Sequence, residues 1–170
     1  MTKPAPDTVY VIYIAAAPEK VWAALTEPDM TSQYFFGLRI EADCRVGGLV
    51  RYVRPDGVVD ISGRVLRCER PQVLSFTWRV ESDASARKLP DSLVTFEIEP
   101  LGGAVRLTLK EAHPDLPDER LLEGGRRGWP AILSGLKTLV ETDKPMPKFD
   151  TSYLKEGGAR MQQVLRELNL

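Results

Sequence analysis

Two hydrophobic periods meet in the second half of this chain, and they constrain the fold more than any other feature. Leu74, Phe76, Trp78 and Val80 alternate with Ser75, Thr77 and Arg79. Val94, Phe96 and Ile98 alternate with Thr95, Glu97 and Glu99, and Val105, Leu107 and Leu109 alternate with Arg106, Thr108 and Lys110. A period of two over three consecutive segments predicts antiparallel strands with one apolar face and one polar face. Leu122, Trp129, Leu133, Leu136 and Val140 then follow at spacings of seven, four, three and four. That is one apolar stripe on a helix of about 25 residues, or ~37 Å, long enough to cover the sheet. Gly124, Gly125, Gly128 and Pro130 weaken this helix and predict a kink or irregular turn in that stretch.

The first half supplies the rest of the sheet. Val9–Ile14 is a β-branched and aromatic run, apolar on both parities, and reads as a strand packed on both faces. Pro18 and Glu19 open a short helix carrying Val21, Trp22 and Leu25, and Met30–Phe35 reads as a second. Arg39–Ala42 and Leu49–Arg54 are strands, and Pro55-Asp56-Gly57 is a turn. Val58–Cys68 is a long strand whose apolar parity changes near Val65-Leu66, which predicts a bulge. Arg70-Pro71 turns the chain, Glu81–Asp91 is a polar loop, and Gly102-Gly103 makes a hairpin. Three segments result: a disordered N-terminus over 1–8, a single domain over 9–142, and a proline-containing linker with a tail helix over 143–170. Met161, Val164, Leu165 and Leu168 form one face of that tail helix, which needs its own chain, a second copy or a protein partner to cover it.

Composition excludes several classes. At 170 residues the chain can bury a core without metal or a disulfide framework. With 43% hydrophobic and 28% charged residues it is not disordered overall. Lys+Arg 23 against Asp+Glu 24 leaves net charge −1, so no charge excess points to nucleic acid. No apolar run is long enough for a signal peptide or a membrane insertion, which makes a cytoplasmic location the expectation. Cys44 and Cys68 have no metal-binding spacing and are expected as small buried thiols. With one histidine, no metal centre and no cofactor are expected. Nucleophile-elbow, phosphate-loop and dinucleotide motifs are absent.

Three segments together resemble a known superfamily. Ala16-Ala-Pro-Glu-Lys-Val-Trp-Ala-Ala-Leu-Thr-Glu-Pro28 is similar to the opening signature of SRPBCC, or START-like, proteins. Asp43-Cys-Arg-Val-Gly-Gly48 resembles the turn that leads into their central sheet. Gly128-Trp129 with Leu133, Leu136 and Glu141 resembles the last helix of the branch named for the activator of heat-shock protein 90 ATPase. One departure is Phe35-Phe36-Gly37, where that branch often has Trp-Trp-Gly. The resemblance implies an α+β helix-grip fold: six or seven curved antiparallel strands on a long C-terminal helix, with two short helices after the first strand. It also implies an internal cavity for an apolar or amphipathic small molecule.

The expected ligand-binding residues are Phe36, Tyr52, Phe76, Trp78, Phe96, Trp129 and Leu133, with His113, Arg51 and Arg64 as polar handles. Glu97 and Glu99 are expected to pair across strands with Arg106 and Lys110. The function that follows is a binding protein holding an apolar or aromatic molecule between sheet and helix. Two alternatives remain: a chaperone-activator-like interaction module, and a cyclase or aromatase-type enzyme with His113 as proton shuttle. No catalytic constellation is set by spacing.

Overall fold

The computed structural model describes residues 8–114 and 119–152. Seven strands form one antiparallel sheet: β1 (Thr8–Ile14), β2 (Arg39–Ala42), β3 (Leu49–Val53), β4 (Val59–Glu69), β5 (Val73–Val80), β6 (Ser92–Leu101) and β7 (Ala104–Ala112). Their order across the sheet is β1-β7-β6-β5-β4-β3-β2. Helices α1 (Pro18–Thr26) and α2 (Pro28–Tyr34) separate β1 from β2, and α3 (Glu119–Thr142) closes the described fold. The tail helix expected near the C-terminus lies outside the described residues.

Each helix of the α1–α2 pair starts on a proline, whose missing N–H is not needed in a first turn. The alternation read from β5, β6 and β7 sets the core. Leu74, Phe76, Val94, Phe96, Ile98, Val105, Leu107 and Leu109 point inward and are buried. They meet Trp129, Ile132, Leu133, Leu136, Leu139 and Val140 of α3. On the outer face Lys110 Nζ lies 2.9 Å from Glu97, and Arg106 pairs with Glu99. The expected bulge is present: the β4–β5 register shifts between Val65 and Arg67. A second shift lies at Tyr52/Val53 between β3 and β4. Such shifts add bend and twist, which curve the sheet around α3.

Three expectations are corrected. β1 is not packed on both faces: Val9, Val11 and Tyr13 are 52%, 48% and 56% exposed. β1 is an edge strand of a single sheet, and no described element covers the outer face. No irregular turn interrupts α3, which is helical throughout Gly124–Pro130. Pro130 is exposed, so the missing hydrogen bond falls on the water side of the helix. The two cysteines are not buried thiols but a disulfide, Cys44–Cys68, with Cα atoms 5.7 Å apart. Backbone bonds from Gly47 N to Val65 O (2.7 Å) and from Val65 N to Gly48 O (2.8 Å) fold the 43–48 turn onto β4 and bring the cysteines together.

Thr31 is fully buried where α2 meets β2. Its Oγ1 accepts the Ile40 N–H at 2.9 Å and donates to Pro28 O at 3.2 Å. Thr31→Val keeps the shape and leaves that buried N–H without a partner. The expected cost is about 1–3 kcal/mol, read as a lower urea midpoint at unchanged slope.

The end of α3 is tied to β1 through Glu141. Its Oε1 accepts from Lys137 Nζ at 2.5 Å and from the Ala15 N–H at 2.9 Å, and Lys137 Nζ also donates to Tyr13 O at 2.6 Å. Lys137, and then the Ala15 N–H, hold the Glu141 carboxyl below its ordinary value of 4.5. A depressed carboxyl contributes stability above its unfolded value, and that contribution is lost as pH falls through the folded one. Glu141→Gln should therefore lower the melting temperature at neutral pH, and the difference from wild type should shrink as pH falls below 4.5. Thermal melts across that range check this.

Candidate functional site

Between the sheet and α3 lies a cavity of about 330 Å³. Rings form much of its wall. Phe35 and Phe36 come from the end of α2, Trp78 from β5, and Trp129 from α3. Trp78 and Trp129 have ring centroids 5.2 Å apart, and Phe35 meets Trp129 edge-on at 5.9 Å. Offset and edge-on pairs of this kind hold ring positions as well as burying area. Phe36 has φ +51° and is followed by Gly37 at φ +78°. That left-handed step turns Phe36 outward to the mouth, where it is 47% exposed. The 3-10 turn Ala86–Lys88, with Leu89 and Pro90 after it, forms the opposite rim. The floor under α3 is open because Gly124, Gly125 and Gly128 carry no side chain there.

One polar cluster enters this apolar hollow. Glu111 is the last inward residue of β7, and its side chain is only 12% exposed. Its Oε2 accepts the Trp129 indole N–H at 3.0 Å. Ser92 Oγ lies 3.5 Å from its Oε1, and His113 Nε2 lies 3.8 Å from the same oxygen. A Cβ at Gly125 would sit 2.9 Å from Oε2, so glycine there leaves room for the carboxylate. The His113 side chain is 8% exposed, and its Nδ1 is buried with no hydrogen-bond partner among the described residues. Arg79 also reaches the cavity, but its Nε is bound to Asp91 Oδ1 at 2.6 Å.

The structure separates the expected ligand-binding residues into three groups. Phe36, Trp78, His113 and Trp129 line the cavity. Tyr52, Phe76, Phe96 and Leu133 are core behind its wall, each at most 3% exposed. Burial raises the Tyr52 hydroxyl well above its ordinary range, as expected for a phenol sealed from water. Arg51 and Arg64 do not enter the cavity, and this corrects the expectation. Val50 and Tyr52 take the inward parity on β3, which leaves Arg51 on the outer face, paired with Glu41 at 2.5 Å. Gly63 and Val65 take it on β4, and Arg64 is exposed with its guanidinium at Gly47 O, 3.3 Å away.

Sequence reasoning missed Glu111 and Ser92. A signal for both was present. The apolar row Val105, Leu107, Leu109 continues two residues on to Glu111, and the row Val94, Phe96, Ile98 starts two residues after Ser92. A charge on a buried parity marks a site more sharply than any exposed one.

A second hollow of about 430 Å³ lies between α2, α3 and the extended segment 146–151, and Phe36 borders both. Among the described residues no helix is long and apolar enough to cross a membrane.

A curved seven-stranded sheet wrapped on one long helix, with a hollow between them, defines a helix-grip, START-like domain. The chain belongs to the family of activator of Hsp90 ATPase homolog 1-like proteins, whose sequence profile matches residues 15–141. Solved structures agree in fold. A crystal structure of a Mesorhizobium loti protein superposes with TM-score 0.67 at 26% identity, covering 79% of this chain and 96% of that one. An HSP90 activator from Plasmodium falciparum has TM-score 0.65 at 19% identity, covering 79% and 95%. An Aha1 dimer from Colwellia psychrerythraea, solved in solution, has TM-score 0.64 at 18% identity, covering 82% and 98%. No curated protein matches the chain in sequence.

Proposed function

We propose that this chain binds an apolar, ring-bearing small molecule in the cavity between the sheet and α3. The observation that carries the reading is the cavity itself. About 330 Å³ of space is walled by Phe35, Trp78 and Trp129 and has one polar cluster at Glu111 and His113. Apolar concave sites with a few convergent polar groups are the usual form of small-molecule sites, and this volume lies at their small end. Apolar burial would drive association, at about 25 cal/mol per Å² before the costs of binding.

Gly128 provides the test. It lines the cavity, and a Cβ built there meets nothing within 4 Å. Gly128→Leu should therefore fill the hollow without displacing the core. It also replaces a helical glycine, which favours the fold by about 0.5–1 kcal/mol. The expected result is an undiminished melting temperature together with loss of binding to 2-methoxynaphthalene, followed through the indole N–H signals in a protein-observed NMR titration. A variant that binds this probe as wild type does would show that the cavity is not the binding site. Native mass spectrometry of the purified protein adds the natural ligand: a mass above the 19.0 kDa chain, released and identified, is the expected result.

A further inference from the structure

The cavity's polar end narrows the class of ligand, and this step rests on the binding reading above. Glu111 lines the cavity and is buried, yet only one of its oxygens is well bonded. Oε2 accepts the Trp129 indole N–H at 3.0 Å, and the Gly125 backbone packs so close that a Cβ there would sit 2.9 Å from it. Oε1 has more distant neighbours, Ser92 Oγ at 3.5 Å and His113 Nε2 at 3.8 Å. The first is long beside the roughly 2.5–3.0 Å of an ordinary O–H···O bond, and the second is beyond hydrogen-bond distance. Ser92 and His113 line the cavity as well, so Oε1 stands among lining groups with acceptor capacity to spare.

The surrounding charges decide which donor fits. Among the described residues no lysine or arginine forms an ion pair with Glu111, and the imidazole stands outside bonding distance. Arg79 reaches the cavity but is held by Asp91 at 2.6 Å, and that pair adds no net charge. Taking the carboxylate out of water is a cost the folded chain already carries. A cation that binds Oε1 gains a charge-assisted bond in apolar surroundings, roughly twice as strong as one from a neutral donor. Phe35, Trp78 and Trp129 act in the same direction, because aromatic faces attract cations. An anionic ligand meets repulsion. A guanidinium needs both carboxylate oxygens for its fork, and Oε2 is taken; an ammonium needs only Oε1.

We infer that the cavity selects arylalkylamines: the ligand's protonated primary amine donates to Glu111 Oε1, and its ring fills the hollow against Phe35, Trp78 and Trp129.

The test compares three probes on the full chain at neutral pH, through the Trp129 indole signal, whose N–H is bonded to Glu111. They are 2-(aminomethyl)naphthalene, 2-(hydroxymethyl)naphthalene and 2-naphthoate. They share the rings and differ in the polar group: a cationic donor, a neutral donor and an anion. Wild type should bind the amine about tenfold more tightly than the alcohol, the difference between a charge-assisted and a neutral hydrogen bond. Glu111→Gln keeps the shape and an acceptor for the indole but removes the charge, and should bring the amine and alcohol affinities together. The wild-type comparison needs no variant, so it stands even if the glutamine protein folds poorly. An amine preference that survives Glu111→Gln would overturn the assignment to this carboxylate. Equal affinities for amine and alcohol in wild type, both abolished by Gly128→Leu, would overturn the ammonium preference and leave the cavity reading intact. Tightest binding of 2-naphthoate would overturn it in favour of an anion site. If none of the three probes moves the indole signal, both the preference and the cavity reading fail.

Discussion

Trp129→Ala is expected to cost about 3–5 kcal/mol, a large part of the roughly 5–15 kcal/mol that holds a domain of this size together. The indole is 3% exposed and sits where three strands and a helix meet. It contacts Trp78, Phe35 and Phe96 at centroid distances of 5.2, 5.9 and 6.2 Å. Its removal opens a hole that rings of fixed rotamer cannot fill, so a cavity cost adds to the lost transfer energy. It also removes the only hydrogen bond shorter than 3.5 Å to the Glu111 side chain among the described residues. Trp129→Phe separates the two effects. It keeps a ring in place and loses the N–H donor to a charged acceptor, for which about 1.5–3 kcal/mol is expected. Urea unfolding of both variants measures the split. A loss below about 1 kcal/mol for the alanine variant would contradict the role given to this residue.

Gly63→Ala should be nearly as damaging, for a different reason. A Cβ at Gly63 would lie 1.7 Å from Thr77 O and 2.7 Å from Thr77 C. Both are backbone atoms of the neighbouring strand, so no rotamer change relieves the clash. β4 and β5 would have to part next to the point where the Arg64 N–H donates to Thr77 Oγ1 at 2.9 Å, two residues before their register shifts. The expected loss is about 3 kcal/mol, the upper end for overpacking. Gly103→Ala is the control. It lies in the β6–β7 turn, meets nothing within 4 Å, and should change stability by no more than about 0.5 kcal/mol. Equal melting temperatures for the two variants would show that the close approach at Gly63 is not rigid.

Much of the fold was legible in the chain because its strands face two different environments. The sheet has one covered side, so along β5, β6 and β7 the inward residues are apolar except Ser92 and Glu111 and most outward ones are polar, and the parity can be read without coordinates. The stripe on α3 was legible for the same reason. β1 misled because Val9, Val11 and Tyr13 look like core and face water; an apolar residue at an edge strand is tolerated, and sequence pattern does not distinguish it from a buried one. The bulge near Val65 was visible as a change of parity, since an extra residue must flip the faces beyond it.

The site was harder to read. Trp78, Trp129, Phe36 and His113 stand out in the sequence as aromatic or titratable candidates for a cavity between sheet and helix. Nothing local told a ring that walls a cavity from one that fills the core, and Phe76 and Phe96 belong to the second kind. Arg51 and Arg64 were misplaced because an arginine carries no parity signal of its own; the inward neighbours Val50, Tyr52, Gly63 and Val65 decide where it points.

The sequence by itself determined the sheet, the covering helix, their faces and the family to which the chain belongs, because period and motif are local properties that burial imposes on every residue of an element. Only the tertiary structure decided that Cys44 meets Cys68, that Glu111 stands between Trp129, Ser92 and His113, and that a cavity remains beside them. Those are meetings of residues far apart in the chain. They depend on register, curvature and the volume left after packing, none of which is encoded in a repeating pattern.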